Sequence, residues 1–180
     1  MRKAILGVDP NEEIILDIHR HPVGIVGFFL FGGMTILVLL ITLFLVLSTG
    51  GFSTQTTAFI TLASVAVGLF VVLITSIAIF IYRANELIIT NENIVQILRQ
   101  SLIDKKVSQL NLSKVQDVSV DQEGFIPTIF NYGTIRIETA GEATNYVFTH
   151  VANPPAVAKQ IVEAHERYIA LNGASSRDGL

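Results

Sequence analysis

The sequence predicts an α+β membrane protein: a hairpin of two transmembrane helices joined to an antiparallel β-domain that a C-terminal helix caps. Three observations carry this. Residues 21–82 contain no Asp, Glu, Lys or Arg, which no soluble surface tolerates. After Arg83 the pattern changes from continuously apolar to alternating, and after Asn153 it changes again, to helical spacing.

The 180 residues are 51% hydrophobic with a mean hydropathy of +0.57, a value raised by the middle third of the chain. Residues 1–22 read as a cytoplasmic N-terminal segment with a strand at 12–19. There Ile14, Leu16 and Ile18 share one face, and Glu13, Ile15, Asp17 and His19 the other. A lone strand would leave its amides and apolar face unsatisfied. It is therefore expected as an extra edge strand, with all three apolar residues against the core. A short interfacial helix is the alternative.

Residues 23–47 and 59–82 are the two apolar blocks. Each exceeds the roughly 20 residues a helix needs to cross about 30 Å of hydrocarbon, and a helix satisfies its own backbone there. Asp9, Glu12, Glu13 and Asp17 precede the first block, whose length is well beyond the roughly 7–15 residues of a signal-peptide core. It reads as a retained anchor. Residues 48–58 form the extracytoplasmic loop and carry no charge. Arg2, Lys3 and Arg20 come before the first span, and Arg83, Arg99, Lys105 and Lys106 after the second. This places both termini in the cytoplasm and the protein in the cell membrane as a multi-pass chain. The spans hold no ionisable residue, so neither a proton relay nor an ion site is expected. Ser64 and Gly68 form a small-xxx-small pattern, although a plain anchor is favoured.

Residues 83–172 read as the cytoplasmic domain. Strands are expected at 87–90, 94–98, 107–112, 116–121, 134–138 and 146–151. Residues 116–121 and 134–138 alternate, with Val118 and Val120, then Ile135 and Ile137, facing inward, and the other four are β-branched or aromatic-rich runs of strand length. Turn formers separate them at 91–93, 122–124, 131–133 and 140–142. Asn153-Pro154 then opens a helix whose Val157, Ile161, Ala164 and Tyr168 make the apolar stripe, while Lys159, Gln160, Glu163, Glu166 and Arg167 oppose it. Asn172-Gly173 is the expected stop, with residues 173–180 as a flexible tail.

Little in the chain suggests chemistry. No Cys is present, which removes disulfides and thiolate sites. After Tyr82, nine Lys/Arg stand against eleven Asp/Glu; that balance lacks the basic face nucleic acid requires. His19 and His21 would share a strand face, but with no third ligand apparent beside them no metal site is expected. His165-Glu166 lies on the polar side of its helix and lacks the zinc-protease spacing. Asp117, Asp121 and Glu123 read as a solvated strand face and turn. No catalytic or cofactor-binding residue is assigned and no cofactor is expected.

Three stretches carry a resemblance: 112–118 (Leu-Ser-Lys-Val-Gln-Asp-Val), 130–137 (Phe-Asn-Tyr-Gly-Thr-Ile-Arg-Ile), and Phe148, Asn153-Pro154 and Ile161. With residues 86–91 fitting the first hairpin, the chain resembles the bacterial pleckstrin-homology-like (PH-like) domain membrane proteins from about Glu12 to Tyr168. The resemblance implies two spans followed by one PH-like β-barrel or sandwich, and no catalytic residues. Ser101 stands where many members have Gly, and Thr128 where a basic residue is common.

The expected function is that of a non-enzymatic integral membrane protein presenting its PH-like domain as a protein-interaction module. Its expected partners are the lipids around the spans, together with a membrane protein or a second copy. An alternative is recognition of anionic lipid headgroups, for which Arg20, Arg83, Lys105 and Lys106 are the candidate contacts. A further alternative is an accessory subunit of a membrane enzyme or transporter.

Overall fold

The computed structural model describes residues 9, 12–139 and 146–175. The chain divides into two compact units, Pro22–Tyr82 and the sequence on either side of it.

The first unit is helical, with α1 spanning Val23–Thr49 and α2 spanning Thr54–Arg83, whose last residue falls in the other unit. Both helices are long and apolar enough to cross a membrane. Their connection is shorter than expected, residues 50–53 rather than 48–58. Gly50 ends α1 in the left-handed region at φ +58°. Ser53 starts α2, its Oγ accepting from the Thr56 amide at 3.2 Å and its carbonyl from the Thr57 amide at 2.9 Å. Inside the helices, Thr42 and Ser76 donate to carbonyls one turn back, at 2.9 and 2.8 Å, so their hydroxyls need no outside partner. The closest helix approach uses Gly24, where a Cβ would occupy the Tyr82 ring, and Gly32, where it would meet Thr75 Oγ1 at 3.0 Å. Nothing lies within 4 Å of a Cβ built at Gly68, so that glycine does not set the approach of the two helices.

Among the described residues the second unit contains seven strands. One sheet has the order β1 (Ile14–His19), β2 (Glu86–Thr90), β3 (Asn93–Arg99) and β4 (Lys105–Asn111). The other has β5 (Val115–Asp121), β6 (Tyr132–Thr139) and β7 (Tyr146–Ala152). Every neighbouring pair is antiparallel. A 3-10 turn at Leu112–Lys114 joins the sheets, followed later by helices α3 (Phe125–Phe130) and α4 (Pro154–Ser175). No ladder closes the two sheets into a barrel among the described residues. The single bridge Arg20–Val151 lies beside β1 and β7 instead.

Both sheets and α4 share one core, in which Leu87, Ile94, Leu112, Ile135, Phe148 and Ile161 are fully buried. On α4, Ile161 and Ala164 are buried while Val157 and Tyr168 pack at the margin, as their spacing predicts. The helix continues through Gly173 to Ser175, past the expected stop. Its start depends on Asn153, which takes a left-handed φ of +46° and accepts the Ala156 and Val157 amides on its carbonyl. The turn expected at 140–142 lies outside the described residues.

β1 is an edge strand of the first sheet, pairing with β2 from Ile14–Thr90 to His19–Glu86. One detail differs from the alternation. The register slips between Ile14 and Leu16, so only Leu16 and Ile18 join the main core. Ile14 instead packs with Ile88, Val95 and Ile97 in a second cluster. A bulge reverses which way the next side chain points, and Ile15 at the slip is 43% exposed. The apolar hairpin therefore interrupts a single sheet between its first and second strands.

Candidate functional site

The antiparallel register fixes what meets at each end of the strands. His19 pairs with Glu86, Glu86 with Ile97, and Arg99 with Lys105. Asp121 pairs with Thr134, Tyr132 with Ala152, and Arg20 bridges Val151. One end of the domain thus gathers residues 19–21, the start of β2, the β3–β4 connection, α3 and the end of β7. The chain also leaves toward α1 and returns from α2 at this end.

Three rings stack here. His21 lies 5.5 Å from Tyr132, and Tyr132 5.6 Å from His150, between ring centroids and nearly parallel. The His21 amide donates to the His150 carbonyl at 2.5 Å. His150 takes a left-handed φ of +58°, uncommon outside glycine although histidine is among the residues that adopt it. Burial pushes its imidazole below the ordinary histidine range, and the nearby Arg20 and His21 push the same way. Gly133, beside the stack, has no alternative. A Cβ there would stand 2.5 Å from the Asp121 carbonyl oxygen and 3.0 Å from Pro154 Cγ.

A cavity of about 400 Å³ opens next to the stack, lined by Asp121, Glu123, Tyr132, Thr134, Arg136 and His150. Arg136 Nε donates to Asp121 Oδ2 at 2.7 Å, so the cavity's principal charges satisfy each other. His19 sits between two acids, with Nδ1 3.6 Å from Asp17 Oδ1 and Nε2 3.3 Å from Glu86 Oε1. The sequence-level view that no carboxylate lies near His19 is corrected here. Asp17 is on the same strand face, and strand pairing brings in Glu86. His21 does not join them, and of the three only His19 is exposed, Asp17 and Glu86 being half-buried. His165 is not on a free polar face either, because its Nδ1 lies 2.7 Å from the Leu112 carbonyl oxygen.

The four candidate lipid contacts separate. Arg83, Lys105 and Lys106 are exposed. Arg20 is half-buried with its guanidinium 5.6 Å above the Phe148 ring. Lys105 and Lys106, with Arg99 opposite, flank a hairpin tip whose Leu102 is 50% and Ile103 98% exposed. Ser101 organises that tip, its Oγ accepting from the amides of Asp104 (3.0 Å) and Ile103 (3.3 Å). Thr128 is used within α3, donating to the Gly124 carbonyl at 2.8 Å.

The opposite end has different chemistry. Glu12, only 3% exposed, accepts from Thr90 Oγ1 at 2.5 Å and from Asn93 Nδ2 at 2.8 Å. The Glu13 amide donates to Asn91 Oδ1 at 2.9 Å. The β2–β3 turn is thus closed by the protein's own carboxylate, which disfavours an anionic ligand there.

An antiparallel two-sheet domain, capped by a helix and interrupted by an apolar helical hairpin, defines the class. A family model described as "Bacterial PH domain" matches residues 23–165, and the chain belongs to that family. The match begins inside α1 and so does not include β1. No curated protein matches. Among solved structures, a DUF1696 family protein with a pleckstrin-homology domain from Shewanella loihica PV-4 is similar at 13% identity and a TM-score of 0.37, over 45% of this chain and 70% of that one.

Proposed function

We propose that the protein is an integral membrane protein of the cell membrane, with both termini cytoplasmic, whose PH-like domain serves as a non-enzymatic protein-interaction module. The observation that carries this is the interrupted sheet. Strands β1 and β2, hydrogen-bonded neighbours, stand immediately before and after the apolar hairpin. A domain whose adjacent strands β1 and β2 flank the hairpin in sequence is joined to it by two chain crossings, which suits a module that presents a binding surface. β4 supplies that surface, since it ends its sheet and exposes Lys105, Lys106, Val107 and Gln109. No further strand pairs with β4 among the described residues, and an edge strand is where an extended partner segment can add, although the Gln109 carbonyl already accepts from the Tyr146 hydroxyl at 3.2 Å.

Cysteine labelling tests the arrangement. In intact cells, Ser53→Cys should react with an impermeant reagent and Ser108→Cys should not; the reverse pattern overturns it. A photo-crosslinker moved along β4 should capture one protein at alternate positions. A smooth profile, or capture of lipid alone, removes the interaction-module role.

A second reading, recognition of anionic headgroups, is favoured by one observation. Arg99, Lys105 and Lys106 cluster at the end of the domain where the chain enters and leaves the hairpin.

A further inference from the structure

Exposed large apolar side chains in the loops of the β-domain are not scattered. Leu102 and Ile103 occupy the β3–β4 tip, and Phe125, Ile126, Ile129 and Phe130 make up most of α3, with Phe125 80% exposed. No α3 residue is buried, although four of its six are large and apolar. Helix α3 is nonetheless well formed. Thr128 bonds back to Gly124 through both amide and hydroxyl, and the Asn131 amide caps it by donating to the Pro127 carbonyl. A formed helix that buries none of its apolar side chains lacks the packing that ordinarily stabilises a short helix. Exposed apolar surface of this kind marks a contact with a membrane or a protein partner.

Register shows where both elements point. The β3–β4 tip continues from the Arg99–Lys105 pair, and that pair is at the same end of its sheet as His19–Glu86. Helix α3 joins Asp121 to Tyr132, which is at the same end of its own sheet as Ala152 and the Arg20–Val151 bridge. Both apolar elements therefore sit where the chain passes into α1 and out of α2. At the far end, the β2–β3 turn is polar and the 3-10 turn buries its one apolar residue, Leu112.

We propose that the β3–β4 tip and α3 insert into the interfacial layer of the bilayer, a second membrane contact beside the two spans. The proposal rests on the membrane-spanning reading above. Charge agrees with this occupant. The tip is flanked by Arg99, Lys105 and Lys106, cations suited to lipid phosphates, and α3 itself carries no charge. The amphipathic rings of His21 and Tyr132 suit the headgroup layer. Asp104 and Glu123 adjoin the two apolar elements and stay in water, which limits entry to the shallow layer that amphipathic segments occupy, about 5–10 Å below the headgroups.

The chain contains no tryptophan, so a single introduced indole reports without background. Full-length protein carrying Ile103→Trp, Phe125→Trp, Glu92→Trp or Leu40→Trp is reconstituted in vesicles of mixed zwitterionic and anionic phosphatidyl lipids, with brominated chains in half of the samples. Ile103→Trp and Phe125→Trp should show blue-shifted emission and lose most of it to lipids brominated near the headgroup. Glu92→Trp should lose none, and Leu40→Trp should respond most to bromine deep in the chains. If the two loop variants match Glu92→Trp while Leu40→Trp is quenched, the insertion is overturned and the spans stand. If Leu40→Trp also escapes quenching, the spanning reading fails and takes the insertion with it. Blue-shifted loop emission that brominated lipid does not quench means a protein, or a second copy, covers these side chains, and this also overturns the proposal.

Discussion

The two ends of the β-domain are built from the same strands and satisfy their loops in opposite ways. At the β2–β3 end, Glu12 bonds to Thr90 and Asn93, and Asn91 bonds to the Glu13 backbone, so the polar turn closes on itself. At the hairpin end, loops carry aromatic and aliphatic side chains that no part of the domain buries. A turn that satisfies itself is part of stability, whereas a loop that leaves its apolar atoms uncovered must be explained by what it meets. The difference teaches that stability and interaction are segregated along the strand axis, and substitutions should separate them.

The largest effect should come from removing the strand the two ends share. Deleting residues 1–19 strips β2 of one of its two partners, leaving β3, and uncovers the core that Leu16 and Ile18 help to close. Amides of β2 should then lose hydrogen-exchange protection while those of α1 and α2 keep theirs; unchanged protection would mean β1 is dispensable. Next, Glu12→Ala leaves the Thr90 and Asn93 donors without their buried acceptor. Hydrogen bonds to charged groups contribute about 1.5–3 kcal/mol each, so urea unfolding in detergent should show a loss of that order, whereas Ile103→Ser should stay within about 0.5 kcal/mol. Comparable losses at both ends would erase the contrast.

Gly133→Ala comes third. The new Cβ collides with the backbone of Asp121, and overpacking of this kind costs about 1–3 kcal/mol. The ring stack supplies a pH dependence. Because His150 is held below its ordinary range when folded, the unfolded chain takes up its proton first as pH falls. Stability is therefore full above about pH 6.5, the unfolded value, and declines below it. Thermal melts of His150→Asn, a residue that tolerates the left-handed φ, should be flatter between pH 7.5 and 5 than those of the parent. The smallest effect belongs to Lys105→Ala and Lys106→Ala. Each should weaken contact of the tip with anionic vesicles by about 1 kcal/mol, read as less blue shift in the Ile103→Trp background, and the difference should fade as salt rises.

The strands were legible because β1, β5 and β6 alternate while β2 and β3 are short β-branched runs between turn residues, and the stripe on α4 because Val157, Ile161, Ala164 and Tyr168 keep helical spacing. The bulge at Ile15 was not, since a register slip depends on the partner strand. Nor was α3. With Pro127 inside and six residues in all, it offers too little period to detect, and Thr54–Ala58 looked like loop because a polar first turn resembles one. The candidate site was least legible. Glu12 meets Thr90 across 78 residues, and the His21–Tyr132–His150 stack joins three segments, so no local pattern announces either. The basic residues were visible as types, but only the structure separates Arg20, packed on Phe148, from the exposed Lys105 and Lys106.

The interrupted sheet also sets an order of assembly. During synthesis β1 emerges first and waits for β2 until both long helices have been made. Closing a loop of that length carries an entropic cost that grows with the logarithm of its length. Helices that associate side by side bring the ends of the loop together, so β1 meets β2 at a raised effective concentration. Each half thereby becomes a folding template for the other, and a lesion in the helix pair, such as a bulky residue at Gly24 or Gly32, should surface as a strand-pairing defect in the domain.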